Sequence, residues 1–136
     1  MNYMLDTNIL IYLIKDRPPE VAEHVNRLGA EDSLCMSFVT YAELLVGAER
    51  STRRAEVLRQ LAALVRIVPV DYEASAALCA HYARHSTRLK RTGASIGAND
   101  LWIACHALAQ DCVLVTNNER EFRRIDGLAV ENWAAG

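Results

Sequence analysis

Short apolar runs alternate with stretches of helical periodicity along the whole 136-residue chain. Asn2 to Leu5 reads as a short buried strand. Asp6-Thr7-Asn8, three residues that favour helix caps, lead from it into an apolar helix over Ile9 to Ile14. Pro18-Pro19 opens a second, amphipathic helix reaching to Leu28, Gly29 to Ser33 is a turn, and Leu34 to Ser37 is a second strand. Thr40-Tyr41-Ala42-Glu43 has the spacing of a capping box and predicts a helix running to Glu49. Leu58, Leu61, Ala62 and Val65 recur at i, i+3, i+4 and i+7, a one-faced helix with Arg50, Arg53, Arg54 and Arg59 on or before it. Ile67 to Val70 is a third strand, closed by Asp71, and Glu73 to Thr92 is a long alanine-rich helix stopped by Gly93. From Leu101 to Ala109 nearly every residue is apolar, so this helix is buried almost all round although it opens on Asp100. Val113 to Val115 is a fourth strand. Thr116-Asn117-Asn118-Glu119 repeats the capping-box spacing ahead of a short helix around Phe122, and Ala129 to Glu131 is a last edge strand.

Strands alternating with helices predict an α/β fold, a central parallel sheet of four to five strands flanked by helices. In such folds ligands bind beyond the carboxyl ends of the strands, which is where Asp6, Glu43, Asp100 and the corner from Thr116 to Glu119 belong. Singly, each has a structural explanation: Asp6 caps a helix, Glu43 completes a capping box, Asp100 complements a helix dipole. Together they pose a problem, because carboxylates gathered in low dielectric repel one another unless a divalent cation compensates them. Mg²⁺ or Mn²⁺ suits hard oxygen ligands, and the chemistry that follows is phosphodiester hydrolysis.

Length and an apolar content of 51% fit one domain over residues 1–136. The net charge of -2 carries no global sign of nucleic-acid binding, so a local patch must supply it. No acidic residue lies between Glu73 and Asp100, and that gap holds Arg84, Arg88, Lys90 and Arg91. These four are candidates for nucleic-acid phosphate contacts, weighed equally against a cationic helix end complementing its dipole. Cys35, Cys79, Cys105 and Cys112 form no CxxC pair and read as buried reduced thiols of a cytoplasmic protein. The apolar run Ile9 to Ile14 is too short to cross a membrane. His81 and His85, four apart, read as an exposed polar stripe, His106 as a hydrogen-bonded core residue, and Trp102, Trp133 and the tyrosines as packing groups.

Four segments carry a resemblance: Met4-Leu5-Asp6-Thr7-Asn8, Tyr41-Ala42-Glu43-Leu44, Gly97-Ala98-Asn99-Asp100-Leu101-Trp102-Ile103-Ala104 and Leu114-Val115-Thr116-Asn117-Asn118. In this order they resemble the landmarks of PIN-domain ribonucleases. The tail from Thr116 to Ile125, with Gly127-Leu128 and Glu131-Asn132-Trp133, is similar more narrowly to the VapC toxins of bacterial toxin–antitoxin pairs, particularly the group that cleaves initiator tRNA. The resemblance implies a PIN fold, Mg²⁺-dependent endoribonuclease activity on tRNA, a homodimer, and silencing by a cognate VapB antitoxin through which the pair binds operator DNA. It implies Asp6 and Asp100 as principal metal ligands, Glu43 as a third acidic residue, Thr116 as a hydrogen-bonding partner within the site, and Asn8 as a neighbour supporting these groups. Many PIN domains carry a further Asp two residues after the threonine, where this chain has Asn118; Glu119 and Glu121 are the candidates to replace that fourth carboxylate, and the resemblance favours Glu121, immediately before Phe122. Two rivals share the pattern: a Mg²⁺-binding response-regulator module with Asp71 as phosphoacceptor, and a catalytically inactive RNA-binding PIN scaffold. A single Asp6 where the first has an acidic pair counts against it, and the retained Asp6, Glu43 and Asp100 count against the second.

Overall fold

A computed structural model describes residues 1–135. Its centre is β1 (Asn2–Leu5), a strand short enough that Met4 and Leu5 are both fully buried on opposite faces. β2 (Ser33–Ser37) and β4 (Val113–Val115) flank it in parallel, with Met4 aligned to Cys35 on one side and to Leu114 on the other. β3 (Val70–Asp71) and β5 (Val130–Glu131) close the edges, so the order is β3-β2-β1-β4-β5, parallel throughout. Because side chains alternate across a strand, Met4 and Leu114 face one core with Leu101, Ile103 and Phe122. Leu5, Met36 and Val115 face the other, with Ile9, Leu10 and Trp133. The response-regulator arrangement is excluded by this order, since that fold places its first strand between the second and third.

Helices α1 (Thr7–Lys15), α2 (Pro19–Asn26) and α4 (Arg54–Ile67) cover the second core, and α5 (Ala76–Thr92) and α6 (Ala98–Ala109) the first. Between them α3 (Phe38–Arg50) straddles the layers, with Phe38 and Val39 against one core and Leu44 and Leu45 against the other. α7 (Glu119–Phe122) is a single turn that buries Phe122. α6 leads straight into β4 through a tight turn in which Asp111 takes φ 55°. The helix therefore runs back along the sheet, and its first turn lies at the carboxyl end of the strands. Asp6 is at the same rim for a different reason: its N–H extends the β1–β4 ladder to the Val115 carbonyl at 3.0 Å, and its side chain caps α1.

Several local expectations change. The Thr40–Glu43 capping box does not form, because α3 starts earlier, at Phe38, with the Ser37 hydroxyl accepting the Val39 N–H at 3.1 Å. Glu43 is thereby left in the second turn with no capping role. Ile67 is the end of α4 and not the start of a strand; the Val68 N–H still reaches the Leu64 carbonyl at 2.8 Å before Pro69 stops the helix. α5 begins at Ala76, after Ser75 caps it, since the Asp71 carboxylate holds the Glu73 N–H at 2.9 Å in a turn. Thr116 does not cap α7, whose flanking residue is Asn118. His85 is buried, not part of an exposed stripe, and Cys79 is exposed, unlike the other three free thiols. His106 is wholly buried as expected, with Nδ1 2.8 Å from the Ser37 hydroxyl and Nε2 3.5 Å from Asp71. Among the described residues no helix is long and apolar enough to cross a membrane.

Candidate active site

Asp6, Thr7, Asn8, Glu43, Asp100, Asn118 and Phe122 line one cavity of about 170 Å³ at the carboxyl rim of the sheet. The cap of α1, the second turn of α3 and the first turn of α6, far apart in sequence, supply its acids, and the parallel topology is what gathers them. Asp6 is 7% exposed. One carboxylate oxygen accepts the Ile9 N–H at 3.2 Å, and the other accepts a short hydrogen bond from the buried Thr116 hydroxyl. Burial pushes the Asp6 carboxyl above its ordinary value, and the bonds from Thr116 and Ile9 oppose that rise. Thr116 Oγ1 also accepts the Asn118 N–H at 3.0 Å, so it ties β4 to the corner that follows it.

Glu43 is held from two sides. The Thr7 hydroxyl donates to one oxygen at 2.6 Å and the Asn99 amide reaches the other at 3.5 Å. Neither partner is signalled by the spacing of the acids, although both adjoin an acidic landmark, Thr7 after Asp6 and Asn99 before Asp100. Asn8 lines the cavity and is exposed.

Asp100 has the most perturbed acid of the group, pushed up to about 7 by burial first, then by the negative charges of Glu121, Glu43 and Asp6. Glu121 stands beside it, close enough for the pair to share a proton. The Glu121 carboxylate also accepts the Gly97 N–H at 3.2 Å and the Asn118 side-chain amide. Glu119, the other acid of α7, instead pairs with Arg123 at 2.6 Å and accepts from Asn132. Of the two, Glu121 is the one set against a carboxylate of the acidic cavity, Asp100.

The donors here are hard carboxylate oxygens, and the rise at Asp100 reflects burial first and then repulsion from its acidic neighbours, both of which a cation among them would offset. Such a set fits Mg²⁺ or Mn²⁺. Among the described residues no three His, Cys, Asp or Glu side chains close round a single point, so an ion here would rest on one or two carboxylates and keep water ligands, the usual habit of Mg²⁺.

The basic candidates divide. Arg84 and Arg91 are exposed on the outer face of α5, with Arg84 Nη2 3.4 Å from His81. Lys90 is exposed on another face of the helix, beside the loop that precedes α6. Arg88 is only half exposed, and it donates to the Arg124 carbonyl at 2.6 Å and lies 3.6 Å from the Asp126 carboxylate. Its guanidinium fastens α5 to the turn after α7, beside the buried His85.

Residues 3–128 match the PIN domain. Ribonuclease VapC1 of Haemophilus influenzae is 48% identical over 133 residues, covering 98% of both chains, and the tRNA(fMet)-specific endonuclease VapC of Shigella flexneri is 40% identical over 135 residues, covering 98% and 99%. Among solved structures, VapBC-1 from nontypeable Haemophilus influenzae superposes with a TM-score of 0.91 at 48% identity over 98% of each chain. VapBC2 from Rickettsia felis, bound to a DNA fragment from its promoter, gives 0.90 at 34% identity over 98% and 99%. With the acids at the rim of a parallel sheet and these likenesses running nearly end to end, the chain belongs to the PIN-domain family and, within it, to the VapC ribonucleases.

Proposed function

We propose that this protein is a Mg²⁺-dependent endoribonuclease toxin of a type II toxin–antitoxin pair that cuts tRNA, with the anticodon stem-loop of initiator tRNA as its target and arrest of translation as the result. The observation that carries the nuclease reading is the convergence of Asp6, Glu43 and Asp100 on one cavity, with Asp100 raised to about 7 by burial and its acidic neighbours. The tRNA target draws on the Shigella flexneri relative.

Asp6 and Asp100 would hold the cation. Thr116 fixes the Asp6 carboxylate by its short hydrogen bond, and Asn118 and Gly97 aim Glu121 at Asp100. Glu43, clamped by Thr7 and Asn99, completes the acidic wall and takes a proton from the attacking water as general base, supported by Glu121. Asn8 borders the mouth of the site. When bound, Mg²⁺ neutralises charge on the phosphoryl oxygens and lowers the pKa of a water. Arg84, Lys90 and Arg91 offset the repulsion between acidic pocket and RNA backbone, whereas Arg88 serves the fold.

The cognate partner is a VapB-type antitoxin, through which the pair reaches operator DNA; the Rickettsia felis VapBC2 complex, bound to a DNA fragment from its promoter, supports this reading. A cavity of about 380 Å³ between α1, α2 and α4, walled by Leu13, Ile14, Val25, Leu64 and Ile67, suits an apolar segment of that antitoxin. A homodimer in the cytoplasm, with residues 1–136 as one PIN domain, completes the reading, and exposed Val46 on α3 offers apolar surface to a second copy.

The test is cleavage of total tRNA by the purified, antitoxin-free protein with Mg²⁺ and with EDTA, beside Asp6→Asn. One tRNA cut in its anticodon loop only with metal and intact Asp6 supports the reading. A folded protein that cuts no RNA overturns it.

A further inference from the structure

A second cavity, of about 230 Å³, lies on the other side of the first turn of α6. Asp100 lines the acidic pocket, while Ala98 and Leu101, on either side of it in sequence, line this one. Tyr82, Leu89, Ile96, Ala98 and Leu101 supply its apolar lining, and Ser86, Ser95 and Lys90 its polar lining. The Tyr82 ring stacks on Trp102, with centroids 3.7 Å apart and planes 13° apart. Lys90 is exposed and makes no ion pair among the described residues.

The remaining wall is built by the same contacts that complete the acidic pocket. Gly93, at φ 69°, turns the chain back after α5, and Arg124 holds the Ser95 carbonyl at 3.2 Å. Glu121 holds Gly97 two residues further on. The two cavities therefore share the first turn of α6. An apolar lining that includes an aromatic ring, two serines and an exposed cation matches the parts of a nucleotide: a base face, hydrogen-bonding base edges and a phosphate.

We propose that the Tyr82–Lys90–Ser95 cavity is a nucleotide subsite that seats one unstacked base next to the scissile phosphate and so selects where the RNA is cut. It rests on the ribonuclease reading for its catalytic consequence. For its binding chemistry it needs only a nucleotide.

Two measurements separate those parts. The first follows amide NMR signals of the wild-type protein and Lys90→Gln during titration with AMP, GMP, CMP and UMP singly. The expected result is saturable shifts at Ser86, Ser95 and Ile96, larger for one base than the others, and weakened about tenfold by Lys90→Gln, the scale of one stacked and charge-assisted nucleotide. The second compares cleavage of an unstructured RNA oligonucleotide by wild type, Lys90→Gln and the cavity-filling Ser86→Leu in Mg²⁺. A KM raised about tenfold by Lys90→Gln without a comparable fall in kcat, and a changed ranking of cut positions with Ser86→Leu, are expected. No RNA cleavage alongside base-selective shifts leaves the subsite standing and removes the nuclease reading. Absence of shifts at these residues for all four nucleotides, or unchanged KM and cut positions in an active enzyme, overturns the subsite.

Discussion

Replacing Asp100 by Asn should make the metal-free protein more stable, by a margin that grows from about pH 4 to its full size above about pH 7. Its carboxyl sits at about 7 in the folded chain against an ordinary 3.8, because burial and then the charges of Glu121, Glu43 and Asp6 disfavour the ionised form. Below about pH 4 the group is protonated in both folded and unfolded chains and contributes nothing. Between about 4 and 7 the unfolded chain releases a proton that the folded chain keeps, so stability falls as pH rises, and above about 7 the whole penalty is present. A rise of about three pKa units corresponds to about 4 kcal/mol. Solvent access to a half-buried carboxyl and proton sharing with Glu121 reduce this to about 2 kcal/mol at about pH 8 and about a third of that at about pH 5. Urea unfolding in EDTA, followed through Trp102 and Trp133, measures the difference. Asp100→Asn should gain about 2 kcal/mol over wild type at about pH 8, about 6 °C in melting temperature, and much less at about pH 5. Added Mg²⁺ should close the gap by stabilising wild type alone. An Asn variant no more stable than wild type at alkaline pH, or equally stabilised at both pH values, would refute the reasoning that burial and the neighbouring acids penalise an ionised Asp100.

Removing the Thr116 hydroxyl, as Thr116→Val, takes away the hydrogen bond that opposes the rise at Asp6; Mg²⁺ affinity by calorimetry and cleavage rate should both drop about 10–100-fold, with Thr116→Ser recovering most of each. The divided basic residues make opposite predictions for RNA binding. Arg84→Gln with Arg91→Gln should lower the slope of log affinity against log salt by about 1 per lost phosphate contact, read by fluorescence anisotropy, whereas Arg88→Gln should leave that slope unchanged and destabilise the fold by about 0.5–1.5 kcal/mol through loss of its hydrogen bond to the Arg124 carbonyl.

The alternation of β1, β2, β4 and their helices was legible along the chain because strands in a two-faced parallel sheet must be short and apolar and their ends must turn through cap-forming residues. The same logic put Asp6 and Asp100 at one rim from residue order alone, and the landmark segments supplied their expected roles. Local spacing misled where two caps compete for one helix start. Ser37 wins over Thr40 at α3, and Glu43 is thereby released to face Thr7 and Asn99, contacts 36 and 56 residues away in sequence. Thr116 spends its hydroxyl on Asp6, 110 residues distant, and leaves the start of α7 to Asn118. Charge run alone could not tell Arg88 from Lys90, since which face of α5 each occupies matters less than what folds back against that face. The placement of Glu121 rather than Glu119 beside Asp100, the burial of His85, and the cavity beside α6 depend likewise on segments that meet only when the sheet closes. Hydrophobic periodicity and capping act over a few residues and can be read in order; the direction of a side chain, the charges that surround it and the proton it keeps depend on through-space distances that sequence order does not encode.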